Sequence, residues 1–137
     1  MFNLKGMKNA PFENVEFIQR LVLMEDDRAE ILTTGRNRLG ERVIASLILT
    51  EEDEHDPNHD TEYYFYLLPS VPCFAQFAIR NLPYRALFDT TDEIYVVAQH
   101  TSDRSPVVYR VTRADIPHDY LPTFDSFLPL TVKTLLL

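Results

Sequence analysis

The chain contains very little glycine and cysteine. Only three of its 137 residues are glycine, namely Gly6, Gly35 and Gly40. Because loops that cradle nucleotide phosphates are built on glycine-rich backbone, this scarcity argues against a nucleotide-binding loop. The single cysteine, Cys73, excludes a disulfide within the chain, and nothing indicates an oxidising compartment.

Long hydrophobic runs are missing as well, and the first residues do not have the pattern of a secretory signal. No stretch approaches the roughly 20 apolar residues that a membrane-spanning helix needs. The opening residues, MFNLKGMKNAPF, lack the continuous apolar segment of a secretory signal. We therefore expect a cytoplasmic protein that has no membrane partner.

The remaining composition is that of an ordinary globular domain. Hydrophobic residues make up 45% of the chain and charged residues 25%. We predict a single domain over residues 1–137, with an N-terminal arm at 1–13 and a proline-rich tail at 117–137. Nine Phe, seven Tyr and no Trp predict an aromatic core in which tyrosine hydroxyls need hydrogen-bond partners.

Negative charge is concentrated in one segment. The net charge of −8 comes from 21 acids and 13 Lys plus Arg, and seven of the acids lie between positions 51 and 62. These seven are Glu51, Glu52, Asp53, Glu54, Asp56, Asp60 and Glu62. The remaining 14 acids nearly balance the 13 bases, so the net charge belongs mostly to this segment.

A basic cluster precedes the acidic segment. Arg36, Arg38 and Arg42 lie in TTGRNRLGER, and no Lys or Arg occurs between Arg42 and Arg80. Nine residues of strand at about 3.3 Å each would hold the two clusters roughly 30 Å apart. The sequence thus predicts an electrically polar molecule.

Apolar alternation predicts four consecutive strands. ERVIASLILT is apolar on both faces, which is typical of a central strand. Gly35 and Gly40 bracket a loop that would join Ala29–Thr34 and Arg42–Thr50 into a hairpin. With VEFIQRLVLM before it and EYYFYLL after it, this hairpin predicts an antiparallel meander.

A helical pattern follows the fourth strand. Phe74 and Phe77 have helical spacing, Pro72 suits a first turn, and Ser70 lies near a capping position. Pro83 interrupts this helix, and two more strand-like runs, EIYVVAQH and SPVVYRVT, come later. The sequence therefore predicts an α+β fold: a curved antiparallel sheet of about five to six strands, with one or two short helices inserted after the fourth strand.

The chain resembles an uncharacterised bacterial family, a domain of unknown function. The resemblance spans roughly Asn14 to Pro122 and rests on VEFIQRLVLMEDDRAEIL, ERVIASLILTEED, EYYFYLLPS, the following helix and VVYRVTRADIPHDYLP. It implies a curved antiparallel sheet beside one or two helices, and it implies no activity. The chain departs from the family pattern by lacking Gly or Pro in its first turn, EDDR, and by its longer acidic loop.

The acidic segment invites a metal-site interpretation. Oxygen ligands recur at alternate positions from Asp56 to Glu62, as in a calcium loop, but Thr61 and Leu67 replace the required glycine and glutamate. His55 and His59 have the spacing of a helical zinc pair, although Pro57 makes a helix improbable there. A metal site formed by His55, His59, Asp56 and Asp60 is therefore an alternative to a solvated loop.

Cysteine catalysis is the other chemical alternative. Cys73 falls near a helix start, where a thiol pKa can be lowered, but its neighbours Val71 and Phe74 favour a packed side chain. A nucleophile also needs a base, and no histidine is adjacent to Cys73 in the sequence. An enzyme or metal protein would have to recruit its groups through the fold, from among His55, His59, Cys73, His100 and His118.

The favoured hypothesis is a small non-catalytic protein–protein interaction module, such as an immunity protein, an antitoxin-like protein or an accessory protein of a bacterial or phage system. Its candidate partner-binding residues are Glu51, Glu52, Asp53, Glu54, Asp56, Arg36, Arg38 and Arg42. We expect a protein partner, no cofactor and a possible homo-oligomer formed head to tail. The net charge disfavours nucleic-acid binding, while an acidic mimic of nucleic acid is a third hypothesis.

Overall fold

The computed structural model describes residues 8–10, 12, 14–25, 28–52, 54–55, 60–100, 106–122 and 125–128. In this part of the chain, seven strands form one sheet, accompanied by two α-helices. The strands are β1 (Lys8–Asn9), β2 (Val15–Glu25), β3 (Arg28–Asn37), β4 (Arg42–Glu51), β5 (Thr61–Leu68), β6 (Glu93–His100) and β7 (Val107–Val111). The helices are α1 (Val71–Ala78) and α2 (Tyr84–Thr90).

All neighbouring strands are antiparallel, in the spatial order β1-β7-β6-β5-β4-β3-β2. Strands β2 to β5 form the predicted meander, and both helices follow β5, the fourth of the six longer strands. The predicted α+β fold is therefore confirmed. In the described residues, neither helix has the length and apolar character needed to cross a lipid bilayer.

Strand β4 is central, as its sequence predicts, and its first half is buried on both faces, whereas Leu47 in its second half is 50% exposed. It lies between β3 and β5, and its consecutive residues Val43, Ile44, Ala45 and Ser46 are all buried. Ile44 faces the helices, whereas Val43 and Ala45 point to the opposite face, because side chains alternate along a strand. The first half of the strand that connects the two charged clusters is thus part of the core.

Gly35 lies inside β3 and not in the loop that its sequence position suggested. The pairing of β2 with β3 shifts register between Phe17 and Gln19, directly opposite Gly35. A Cβ atom at position 35 would meet the carbonyl oxygen of Glu16 at 2.3 Å. Glycine is required here because the irregular backbone of β2 approaches β3 closely.

The loop between β3 and β4 is shorter than predicted and comprises residues 38–41. Asn37 organises it: the Asn37 side-chain oxygen accepts hydrogen bonds from the backbone N–H groups of Leu39 and Glu41, at 3.1 and 2.9 Å. Gly40 adopts φ 81°, a left-handed conformation that favours glycine. The tight turn places Arg36 and Arg42 directly opposite each other across the two strands.

The connection between β1 and β2 requires the sheet to curve. These two strands occupy opposite edges, yet only residues 10–14 join them. Seven strands spaced by about 4.8 Å would span roughly 29 Å if flat, whereas this link reaches about 20 Å at most. Phe12, from the link, packs edge-on against Tyr66 and Tyr95, with ring centroids 5.7 and 4.8 Å apart.

The main core lies between the sheet and the two helices. Its helical side chains include Phe74, Phe77, Tyr84, Leu87 and Phe88, and its strand side chains include Leu32, Ile44, Phe65, Leu67, Ile94 and Val96. The buried hydroxyl of Tyr84 is hydrogen-bonded to Ser46 Oγ at 2.8 Å. The aromatic core and the need for a hydroxyl partner are therefore both as the composition predicts.

The predicted helix signals function as expected. Ser70 is the N-cap of α1, where its hydroxyl accepts a hydrogen bond from the Cys73 backbone N–H at 3.3 Å, and Pro72 lies in the first turn. Pro83 separates α1 from α2.

Parts of both predicted terminal segments pack against the body. β1 pairs with β7, and Leu128 is buried in the core. The Ser126 carbonyl accepts a hydrogen bond from the Tyr84 backbone N–H at 3.0 Å. The terminal run TVKTLLL lies outside the described residues.

Candidate functional site

Strand β4 carries opposite charges at its two ends. It begins at Arg42, opposite Arg36, and ends at Glu51, whose neighbour Thr50 pairs with Glu62. Ten residues of strand place the two ends about 30 Å apart. We call them the basic end, around Arg36 and Arg42, and the acidic end, around Glu51 and Glu62.

Two carboxylates at the acidic end are held by tyrosines. The Tyr63 hydroxyl donates a hydrogen bond to Glu51 at 3.4 Å, and the Tyr64 hydroxyl donates one to Glu62. Tyr63 and Tyr64 are neighbours on β5 and point to opposite faces of the sheet. The tyrosines thus anchor one acidic side chain on each face.

The pKa values of these tyrosines are raised. Burial is the larger cause for both, and the carboxylates of Glu51 and Glu62 reinforce it, since a nearby negative charge disfavours a phenolate. Both hydroxyls consequently remain protonated donors throughout the physiological range. Hydrogen bonds from the two tyrosines therefore hold part of the negative charge at this end in position.

Three further acidic residues of this segment lie within the described part of the chain. Glu52 and Glu54 are exposed just after β4, and Asp60 is half-buried just before β5. Asp53, Asp56 and His59, which the sequence singled out, lie outside the described residues. Of the five acidic residues predicted to bind a partner, the structure thus describes three, Glu51, Glu52 and Glu54.

Three of the four histidines lie within the described residues. His55 is exposed at the acidic end, and His118 is exposed in the 3-10 turn His118–Tyr120. His100 is half-buried at the end of β6, where its Nε2 atom lies 3.2 Å from the Thr61 hydroxyl. Over the residues that the structure describes, no three His, Cys, Asp or Glu side chains gather as a metal site would require.

Cys73 lies at the other end of the molecule from His100. It is the third residue of α1, which follows the end of β5, whereas His100 pairs with Thr61 at the start of β5. The eight residues of β5 separate these positions by about 23 Å. Cys73 and His100, two of the five residues from which the catalytic alternative would draw, are therefore not in one site.

A cleft of about 520 Å³ opens at the basic end. It lies between the β3–β4 turn, the start of α1 and the segment joining α2 to β6. Its apolar wall consists of Leu68, Pro69, Val71, Phe74 and Ala75, and its charged side chains are Arg36, Arg42, Glu41, Asp92 and Glu93. Arg38 is exposed in the turn and does not line the cleft.

The two arginines of the cleft are crowded together. Arg36 and Arg42 are direct cross-strand partners, so their side chains leave the same face of the sheet. The Arg42 guanidinium carbon lies 4.8 Å from the centre of the Phe74 ring, and Arg36 Nη1 donates a hydrogen bond to the Gly40 carbonyl at 2.8 Å. Burial, and then the charge of Arg36, lower the pKa of Arg42, although a guanidinium remains charged at neutral pH.

The three carboxylates of the cleft have partners within the protein. Glu41 accepts a hydrogen bond from Asn37 Nδ2 at 2.9 Å, and Asp92 lies 3.8 Å from Arg113. Glu93 interacts with the Tyr95 hydroxyl, whose pKa is raised by burial and by that carboxylate. Asp92 therefore has a cation as its partner, whereas the partners of Glu41 and Glu93 are a neutral amide and a neutral hydroxyl, which cancel no charge.

Sequence reasoning identified the arginines of the cleft but missed its walls. Phe74 was assigned only to a helix core, and the capping role of Ser70 gave no indication that it borders a cleft. Their approach to Arg42 depends on how α1 folds back onto the sheet, which no local pattern encodes. The hairpin register alone could have shown that Arg36 and Arg42 share a face.

Comparisons with known proteins give no match for this chain. No family model, curated protein or solved structure matches the chain. The resemblance to an uncharacterised bacterial family stays a prediction.

Proposed function

We propose that the protein is a small non-catalytic protein–protein interaction module that recognises partners through the oppositely charged ends of its sheet. The observation that supports this most is the separation of charge along β4, from Arg42 to Glu51. A strand that pairs with β5 along its length holds the two ends apart, so each presents its charge in a defined place.

The acidic end suits a basic partner surface. Charge complementarity chiefly raises the rate of encounter and rejects partners of the wrong sign. The hydrogen bonds from Tyr63 and Tyr64 reduce the conformational freedom that Glu51 and Glu62 would lose on binding. An immunity protein, an antitoxin or an accessory protein of a bacterial or phage system is the biological setting that we propose.

Neutralising Glu52 and Glu54 together is expected to slow association with the partner about tenfold at low salt, because both are exposed at the acidic end. The partner would be captured with the wild-type protein from host lysate, purified, and its association rate with each variant measured by surface plasmon resonance. The effect should shrink as salt is raised, since added ions screen exposed charges.

A second double variant provides the matched control. Asp89→Asn with Asp119→Asn removes the same net charge from two other exposed positions. We expect this variant to associate at nearly the wild-type rate. Equal slowing by Glu52→Gln with Glu54→Gln and by the control pair would show that only net charge matters, and would refute the acidic end as a recognition surface.

A further inference from the structure

The cleft at the basic end has the dimensions of a small-molecule site. Its volume of about 520 Å³ lies within the roughly 300–1,000 Å³ that is usual for ligand pockets. One wall is apolar, formed by the end of β5 and the first turns of α1. Arg36 and Arg42 also line the cleft, together with the carboxylates of Glu41, Asp92 and Glu93, and the Arg42 guanidinium lies over the Phe74 ring of the apolar wall. A ligand in it would meet apolar and positively charged surfaces at once.

Arg36 lies between a like charge and an opposite charge, because its cross-strand partners are Arg42 on β4 and Glu16 on β2. Like charges directly opposite on neighbouring strands repel each other, and Arg36 and Arg42 are such a pair. An anion between the two guanidinium groups would replace this repulsion by attraction on both sides. The forked donors of arginine match the geometry of carboxylate and phosphate oxygens.

The surroundings orient this positive charge. The Phe74 ring supports the Arg42 guanidinium, and the Gly40 carbonyl holds Arg36 by one of its nitrogens, which leaves other N–H groups of that guanidinium for a ligand. Ser70 also borders the cleft, and a hydroxyl that accepts one hydrogen bond keeps a proton to donate. Because Pro72 removes one N–H group from the first turn of α1, the arginines, and not the helix terminus, supply the attraction.

We propose that this cleft binds a small ligand in which an oxyanion, a carboxylate or a phosphate, is joined to an apolar group. The oxyanion lies between Arg36 and Arg42, and the apolar group packs against Leu68, Val71 and Phe74. The site lies about 30 Å from the acidic end, so its failure would leave recognition at the acidic end, where the proposed function is tested, unaffected.

The test uses phenyl phosphate, benzoate, inorganic phosphate and phenol as probes, with binding followed by backbone amide NMR at constant ionic strength. Phenyl phosphate or benzoate should shift the amide signals of Arg36, Arg42, Ser70 and Phe74 saturably. Inorganic phosphate and phenol should each bind about tenfold more weakly than phenyl phosphate, because inorganic phosphate lacks the apolar group and phenol lacks the oxyanion. Tighter binding of phenyl phosphate than of benzoate assigns a phosphate ligand, and the reverse assigns a carboxylate ligand.

Three glutamine variants locate the binding. Arg42→Gln and Arg36→Gln should each weaken the better probe about tenfold, whereas Arg38→Gln, in the same turn but outside the cleft, should leave its affinity within about twofold. Arg36 is exposed, so Arg36→Gln is expected to fold. It therefore tests the site even if Arg42→Gln, which loses the contact with Phe74, does not fold.

Two results would overturn the proposal. One is the absence of saturable shifts at these amides up to about 10 mM of either aromatic anion. The other is an equal loss of affinity in Arg38→Gln, which would mean that the probes respond to surface charge in general.

Discussion

Replacing Gly35 with alanine is expected to lower the free energy of unfolding by about 3 kcal/mol. The new Cβ would lie 2.3 Å from the Glu16 carbonyl oxygen and 2.9 Å from the Phe17 Cα, both of which are backbone atoms. A flexible side chain could move aside, but here β2 itself must shift away from β3. Urea denaturation followed by circular dichroism would measure the change.

Gly40→Ala is the matched control. Gly40 has φ 81°, and among the described residues no atom beyond its chain neighbours lies within 4 Å of the position that a Cβ would take. The substitution therefore costs only the conformational preference, about 1 kcal/mol. The larger loss at position 35 isolates the steric contribution. Equal losses of unfolding free energy in the two variants would contradict the close approach of β2 to β3 at the register shift.

Phe77→Ala is expected to cost about 4 kcal/mol of unfolding free energy, the largest effect predicted for a single side chain. Phe77 is fully buried, and its ring lies 6.3 Å from that of Phe74 and 6.4 Å from that of Tyr84, measured between centroids. Truncation leaves a cavity between α1, α2 and the sheet. A loss of this size is a large fraction of the total stability of a typical domain.

Val71→Ala tests the same helix without opening a cavity. Val71 is 84% exposed, so its truncation should change the unfolding free energy by no more than about 0.5 kcal/mol. Both substitutions introduce the best helix former, so helix propensity cannot explain a difference between them. Similar small effects of the two variants would contradict the packing of α1 onto the sheet.

Much of the fold could be predicted from sequence because its signals are local. Apolar residues on both faces of Arg42–Glu51 predicted a central strand, and Ser70 and Pro72 predicted the start of α1. These patterns reflect burial and backbone hydrogen bonding within a few residues. The meander followed because successive strands joined by short turns pair with each other.

The sequence could not reveal features that depend on distant parts of the chain. Pairing of Lys8–Asn9 with β7 joins segments about a hundred residues apart, and the run is too short to show a strand pattern. Gly35 was assigned to a loop because glycine usually marks a turn, whereas here it accommodates the backbone of β2. In both cases, tertiary packing outweighs the local preference.

The candidate site likewise combines features that the sequence reveals with features that depend on the fold. Its charges were evident from composition, and their separation followed from the length of one strand. Which arginines share a face depended on the true turn, residues 38–41, and the cleft required α1 to pack beside Arg42. Sequence therefore predicted the polarity of the molecule but not the concave surface at its basic end.

The separation of charge along β4 is tested most directly by one pair of amide NMR titrations, with tetralysine as a cationic probe and phenyl phosphate as an anionic probe. Tetralysine should shift the signals of Glu52, Glu54 and Glu62, and phenyl phosphate those of Arg36 and Arg42, with no signal shared between the two sets. Shifts of the same signals by both probes would contradict two separate recognition sites.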